Sequence, residues 1–153
     1  MRFRTSIPFR AAALSVAAAI LVPAAGCWSG PQVRFVRSDA SYTVAQAEES
    51  GRSVSLGEAS SVKTEQATEA RRKALSGLRQ QGSDAARVAD LLTKGFPAQS
   101  RSVPVQVEAA SVDGKPAYIV VEATGRPGGT LISRRVWVFD AAAGTVMGSA
   151  SFQ

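Results

Sequence analysis

Cys27 is the only cysteine among 153 residues, and histidine is absent. A lone thiol has no partner within the chain for a disulfide. Without imidazole the chain has no Ser-His-Asp triad and no His-based zinc site. Catalytic residues, metal ligands and cofactors are accordingly all expected to be none. The thiol chemistry that remains is modification of Cys27 itself. Its setting favours that chemistry, because the small residues Ala24-Ala25-Gly26 run directly into it.

One serine has a nearby base. Ser60-Ser61-Val62-Lys63 holds the Ser-x-x-Lys spacing used as nucleophile and base by penicillin-recognising enzymes. On an α-helix the lysine returns to the serine's side and can take its proton. Eighteen Ser and four Lys give about 0.5 such pairs by chance. The companion Ser-Asp-Asn and Lys-Thr-Gly elements are missing, and Ser83-Asp84-Ala85 does not replace the first. Glu108 and Glu122 are isolated acids on neighbouring predicted strands, expected as solvated surface. Gly125 to Gly129 joins two predicted strands and leads into no helix, so it reads as a flexible connection and not a phosphate cradle.

The elements that must position Cys27 lie before it. Arg2, Arg4 and Arg10 form a positive n-region, and Ala11 to Val22 is an uncharged run of twelve residues. As a helix that run spans about 18 Å, short of a hydrocarbon core of about 30 Å. A secretory signal peptide fits this build and a permanent membrane span does not. Ala24-Ala25-Gly26-Cys27 resembles the lipobox of bacterial lipoproteins, with Ala24 where that class usually has Leu. The resemblance implies a diacylglyceryl group on the Cys27 sulfur, cleavage after Gly26 and an acylated new amino terminus. Residues 1–26 are then the signal peptide. The mature protein is anchored to the outer face of a bacterial membrane, since two or three acyl chains hold firmly where one binds only marginally. Trp28 replaces the Asp that retains some lipoproteins at the inner membrane, which implies outer-membrane sorting in a cell with two membranes.

Losing the leader removes three of the 18 basic residues and none of the 12 acids, so the formal net charge falls from +6 to +3. Arg71-Arg72-Lys73 and Arg134-Arg135 are the clusters that remain. The first triplet fans around a helix and is expected on a solvated face. No basic stripe with interleaved aromatics marks a nucleic-acid binder. Together the two clusters are candidates to face anionic lipid.

Along the mature chain, residues 27–57 are polar and punctuated by Gly30-Pro31, Ser38-Asp39 and Ser50-Gly51. They are expected as a lipid-anchored tether, with a possible short strand at Val33 to Val36. Residues 58–153 are expected as the folded domain. Ala67, Ala70, Ala74, Leu75 and Leu78 recur at helical spacing, predicting a helix near Thr64–Gln80. Val88, Leu91 and Leu92 predict a second over Ser83–Lys94, closed by Gly95 and Pro97. From Ser102 the period becomes two. Val103, Val105 and Val107 alternate with polar partners or Pro104, which must sit on an edge or bulged strand. Asp113-Gly114 is a hairpin signal. Tyr118 to Val121, Leu131 to Asp140 and Thr145 to Phe152 complete the pattern. The fold class expected is α+β: two helices packed on a four-stranded antiparallel meander, after a cleaved signal peptide.

The helix-then-strands order from Ser83 resembles PepSY-like secreted domains. Gly95-Phe96-Pro97, Asp113-Gly114 and Val138 to Val146 carry the likeness, with Asp140-Ala141-Ala142-Ala143-Gly144 resembling that family's Asp-Ala-x-Thr-Gly turn. The resemblance implies protein binding, since the family is associated with inhibiting or chaperoning exported peptidases. The functional expectation is a cell-envelope lipoprotein with a non-enzymatic binding domain for a protein partner or envelope polymer. The alternative is a small envelope hydrolase or transferase using Ser60 and Lys63.

Overall fold

The computed structural model describes residues 30–95 and 101–153. Its elements run β1 (Arg34–Tyr42), α1 (Val44–Ser50), three short 3-10 turns, α2 (Ala67–Arg79), α3 (Ser83–Lys94), β2 (Ser102–Val112), β3 (Lys115–Thr124), β4 (Ser133–Asp140) and β5 (Val146–Phe152). The fold is α+β. The expected meander is present as β2-β3-β4-β5, and the two expected helices are α2 and α3.

Two details differ from the expectation. The sheet has five strands and is mixed, because β1 pairs in parallel with β2. A third helix, α1, follows β1 directly. The stretch expected as a tether therefore folds into the domain from Arg34 onward. Polar composition concealed this because β1 and α1 each bury only part of their surface. Alternate β1 residues are exposed, and α1 buries Ala47 alone. Thr43 nevertheless starts α1 with a reciprocal cap: its hydroxyl accepts from the Gln46 N–H, and the Gln46 carbonyl oxygen accepts from the Thr43 N–H.

The layers follow from alternation along β3. Ala117 to Ala123 is buried without a break, as a central strand covered on both faces must be. On one face Gly51, at the end of α1, lies against Val121 and Val136. On the other face the next residue, Glu122, meets Arg71 of α2. The sheet is thus sandwiched between the α1 segment and the α2–α3 pair. Both helices of that pair present small and branched residues inward: Ala67, Ala70, Ala74, Leu75 and Leu78 from α2, and Ala85, Val88, Ala89 and Leu92 from α3.

The strands obey their local signals. Pro104 sits at a register shift between β2 and β3, and β1 begins its pairing only at Gln106, beyond the proline. The residue without an N–H donor is thereby spared on both sides. Asp113 and Gly114 take φ of 49° and 75°, the left-handed pair that a two-residue hairpin requires. Between β4 and β5, Asp140 folds its carboxylate under the turn and accepts the N–H groups of Ala142 and Ala143, each at 2.8 Å. Those bonds hold its pKa below the ordinary Asp value.

Two measurements check this packing. A Cβ on Gly51 would approach Val136 to 2.4 Å and Val121 to 3.1 Å. Gly51→Ala is expected to lower stability by about 1–3 kcal/mol through overpacking, read by chemical denaturation. The Asp140 turn gives a pH signature. A depressed folded pKa contributes stability that is full above the unfolded Asp value and is lost as pH falls through the folded one. The carboxyl titration followed by NMR should therefore have its midpoint below the usual Asp range. Faster exchange of the Ala142 and Ala143 amides should accompany it.

Candidate functional site

The most connected polar group of the fold is Arg71. Its place in the sequence explains its burial: with Ala67, Ala70, Ala74, Leu75 and Leu78 it occupies the inward stripe of α2. The guanidinium reaches across to β3, where Nη1 donates to Glu122 Oε1 at 2.5 Å. The same nitrogen reaches the carbonyl and hydroxyl oxygens of Ser102, both at 3.2 Å. Nη2 donates to the Leu92 carbonyl in the last turn of α3 at 3.2 Å, where helical carbonyls lack intrahelical partners. Glu122 Oε2 accepts from Ser102 Oγ and from the Trp137 indole N–H, each at 3.0 Å. Arg71, Ser102 and Glu122 are all buried. Two sequence expectations are corrected here. Arg71 does not belong to a solvated triplet, and Glu122 is not solvated surface. Glu108 and Glu122 do not face each other either. Glu108 stands opposite Ile119 on the other side of the sheet, where it accepts the Tyr42 hydroxyl at 3.1 Å. Burial and the neighbouring Glu108 carboxylate both raise the Tyr42 pKa.

The second assembly surrounds the Gly125–Gly129 connection, which is docked on the segment before α2. Thr64 Oγ1 donates to the carbonyls of Arg126 and Gly129, at 2.8 and 2.9 Å. The Thr64 N–H donates to the Gly129 carbonyl, and the Leu131 N–H to the Val62 carbonyl. Glu65 accepts the Gly128 N–H at 3.0 Å. That bond, together with one from its own N–H, holds the Glu65 pKa low. Beside this seam lies an open cleft of about 780 Å³ whose walls include Gly30, Pro31, Glu58, Glu65, Glu69 and Lys73. Pro31 and Glu58 are shared with a smaller opening of about 330 Å³. Two of the three carboxylates are already committed to the fold: Glu65 to Gly128, and Glu69 to Arg72 and Lys73. Among the described residues no group of three carboxylates or other ligand side chains is placed to hold a metal ion.

Cys27 and Gly26 lie outside the described residues. Ser60 and Lys63 are described, and they do not form a nucleophile and base. Ser60 is exposed in the turn Gly57–Ser61, and its hydroxyl donates to the Gly57 carbonyl at 2.8 Å. Lys63 is exposed on extended backbone, with φ −71° and ψ 145°. The α-helical backbone that would return the lysine toward the serine is not formed there.

The buried cluster was missed in sequence, although two signals were present. Glu122 interrupts the apolar run Ile119 to Ala123, and Arg71 falls on the apolar stripe of its helix. A charged residue on each of two buried faces asks for a partner.

The cluster predicts a non-additive pair. Arg71→Met leaves the Glu122 carboxylate buried without its cation and is expected to cost about 3–5 kcal/mol. The double variant Arg71→Met, Glu122→Gln keeps an acceptor for Trp137 and Ser102 and should regain more than half of that loss. Additive losses in urea denaturation would show that the two side chains are not coupled.

No family model, curated protein or solved structure matches this chain.

Proposed function

We propose that this chain is a cell-envelope lipoprotein. Cys27 carries the lipid after cleavage behind Gly26, and the small α+β domain binds a protein partner or an envelope polymer without catalysing a reaction. The observation that carries this reading is positional. A charged-then-apolar leader ends at the chain's only thiol. Gly30, three residues after Cys27, lines an open cleft of the domain. Membrane attachment then rests on acylation. Among the described residues no helix is long and apolar enough to cross a bilayer.

A binding role is favoured over the hydrolase or transferase alternative by the Ser60 hydroxyl, which donates to the Gly57 carbonyl, and by the extended backbone at Lys63. The PepSY-like order of elements from Ser83 supports a protein as the partner. Trp28 supports outer-membrane sorting where the cell has two membranes.

Mass spectrometry of the mature amino terminus tests the anchor. A diacylglyceryl-modified Cys27 at the first position is expected, and Cys27→Ser should leave the precursor uncleaved or released from the membrane. An unmodified cysteine, or a start elsewhere, overturns it. Photo-crosslinking of the lipidated protein in its own membranes tests the binding role. A saturable partner that survives Ser60→Ala is expected. A reaction product that depends on Ser60 would reverse the reading.

A further inference from the structure

The parallel pairing of β1 with β2 decides which end of the domain lies nearest the anchor. Arg34 opens β1 opposite Gln106, Ser102 pairs with Thr124, Thr124 with Ser133, and Arg134 with Phe152. The starts of β1, β2 and β4 and the ends of β3 and β5 therefore share one edge of the sheet. Gly30 and Pro31 enter there. Only three peptide steps separate Gly30 from Cys27, which allows at most about 11 Å. A lipid on Cys27 would hold this edge within roughly one to two Debye lengths of the bilayer at physiological salt.

That edge is basic. Two adjoining depressions, of about 400 and 270 Å³, share Arg126, Ser133 and Gln153. Arg134 and Arg135 line the second, and no Asp or Glu is among the described residues lining either. Lys63 pairs with Thr130 in the same seam, and Arg101 precedes β2. The nearby acids are fewer. They include Glu65, which is bonded to the Gly128 N–H and lies near Arg101 and Lys63, Glu69, paired with Arg72 and Lys73, Glu49, paired with Arg52, and Glu58. Ile132, which shares a depression with Arg126, is 66% exposed and is one of two large exposed hydrophobics among the described residues. The far edge is not basic, with Asp39, Asp84, Asp113 and Asp140 set against Arg37, Arg87 and Lys115. Asp84 is paired there with Arg37.

We propose that this edge, with exposed Ile132 beside Arg126 and with Lys63, Arg101 and Arg135 along the same edge, docks on an anionic lipid surface while Cys27 holds the chain there. The proposal rests on the anchored reading above and adds an orientation to it. It also replaces the pair of clusters suggested by sequence: Arg71 is buried in the core, so the lipid-facing charge comes from one edge of the sheet. The near-edge position supplies proximity, the charges supply attraction, and Ile132 supplies an apolar side chain for the headgroup boundary. Each basic residue near such a surface favours the docked orientation by on the order of fivefold.

The test uses the full acylated protein in vesicles of phosphatidylcholine, with or without 30% phosphatidylglycerol. Once Cys27 is a thioether, Ile132→Cys provides a single thiol for a fluorophore, and Lys115→Cys places one at the far edge. A quencher on the lipid headgroups should quench the 132 label strongly and the 115 label weakly in the anionic vesicles. Raising salt should reduce that contrast. Lys63→Gln, Arg126→Gln and Arg135→Gln combined should shift the docked equilibrium by on the order of a hundredfold. Equal quenching of the two labels overturns the proposal. So does a contrast that ignores phosphatidylglycerol, salt and the three substitutions. Acylation is read separately by mass spectrometry. Its absence overturns the anchor reading and this orientation with it, whereas an acylated protein without the contrast overturns the orientation alone.

Discussion

Arg71 and Glu122 meet where α2, α3 and three strands converge, and among the described residues no other polar contact ties so many elements together. The guanidinium spans α2, the last turn of α3 and the start of β2. The carboxylate passes the connection through β3 to the indole of Trp137 on β4. Two charges removed from water are expensive, and their mutual attraction offsets that cost only when the remaining donors and acceptors are also satisfied. Ser102 contributes to this twice, by accepting from Arg71 and donating to Glu122. The surrounding core is mostly alanine and valine, whose contacts are weakly directional. The ion pair adds direction, because a shift of α2 by one residue would leave both charges buried and unpaired.

The rest of the architecture can be placed around that point. The α2–α3 face is fixed by the pair, and the opposite face is fixed by close approach at Gly51 against Val121 and Val136. The loop between β3 and β4 would be free to move on its glycines alone. Thr64 and Glu65 hold its backbone instead, so the segment before α2 and the edge of the sheet form one surface. That surface carries the cleft beside Gly30 and the basic residues. The proposed binding role and membrane orientation would use neighbouring parts of the same end.

Individual residues show how much of this was legible in sequence. Periodicity located α2, α3, β2, β3 and β4 because each buries a stripe or an unbroken run, and β5, half-exposed like β1, was placed by the turn before it. Asp113-Gly114 marked its turn through the φ values it tolerates, and Pro104 announced a bulge through its missing donor. β1 and α1 were read as tether because a half-exposed edge strand and a two-turn helix, with no hairpin turn leading into them, bury too little to impose a pattern. Arg71 was read as one of a solvated triplet and Glu122 as an isolated acid, although each stood on a buried stripe. Ser60 and Lys63 had the right spacing on the wrong backbone, since a 3-10 turn followed by extended chain does not bring positions three apart onto one side.

The sequence by itself determined a single thiol behind a charged-then-apolar stretch, the absence of imidazole chemistry and the class of the fold. These depend on residue identity and on local repeat, both of which are one-dimensional. Tertiary structure decided which charges are buried, that β1 lies parallel beside β2, and which edge of the sheet holds the chain's entry. Those outcomes depend on pairing between residues some fifty to eighty positions apart, such as Arg71 with Glu122 and Arg34 with Gln106. Local propensity carries no information about such partners. Burial and register supply it only when the whole domain closes.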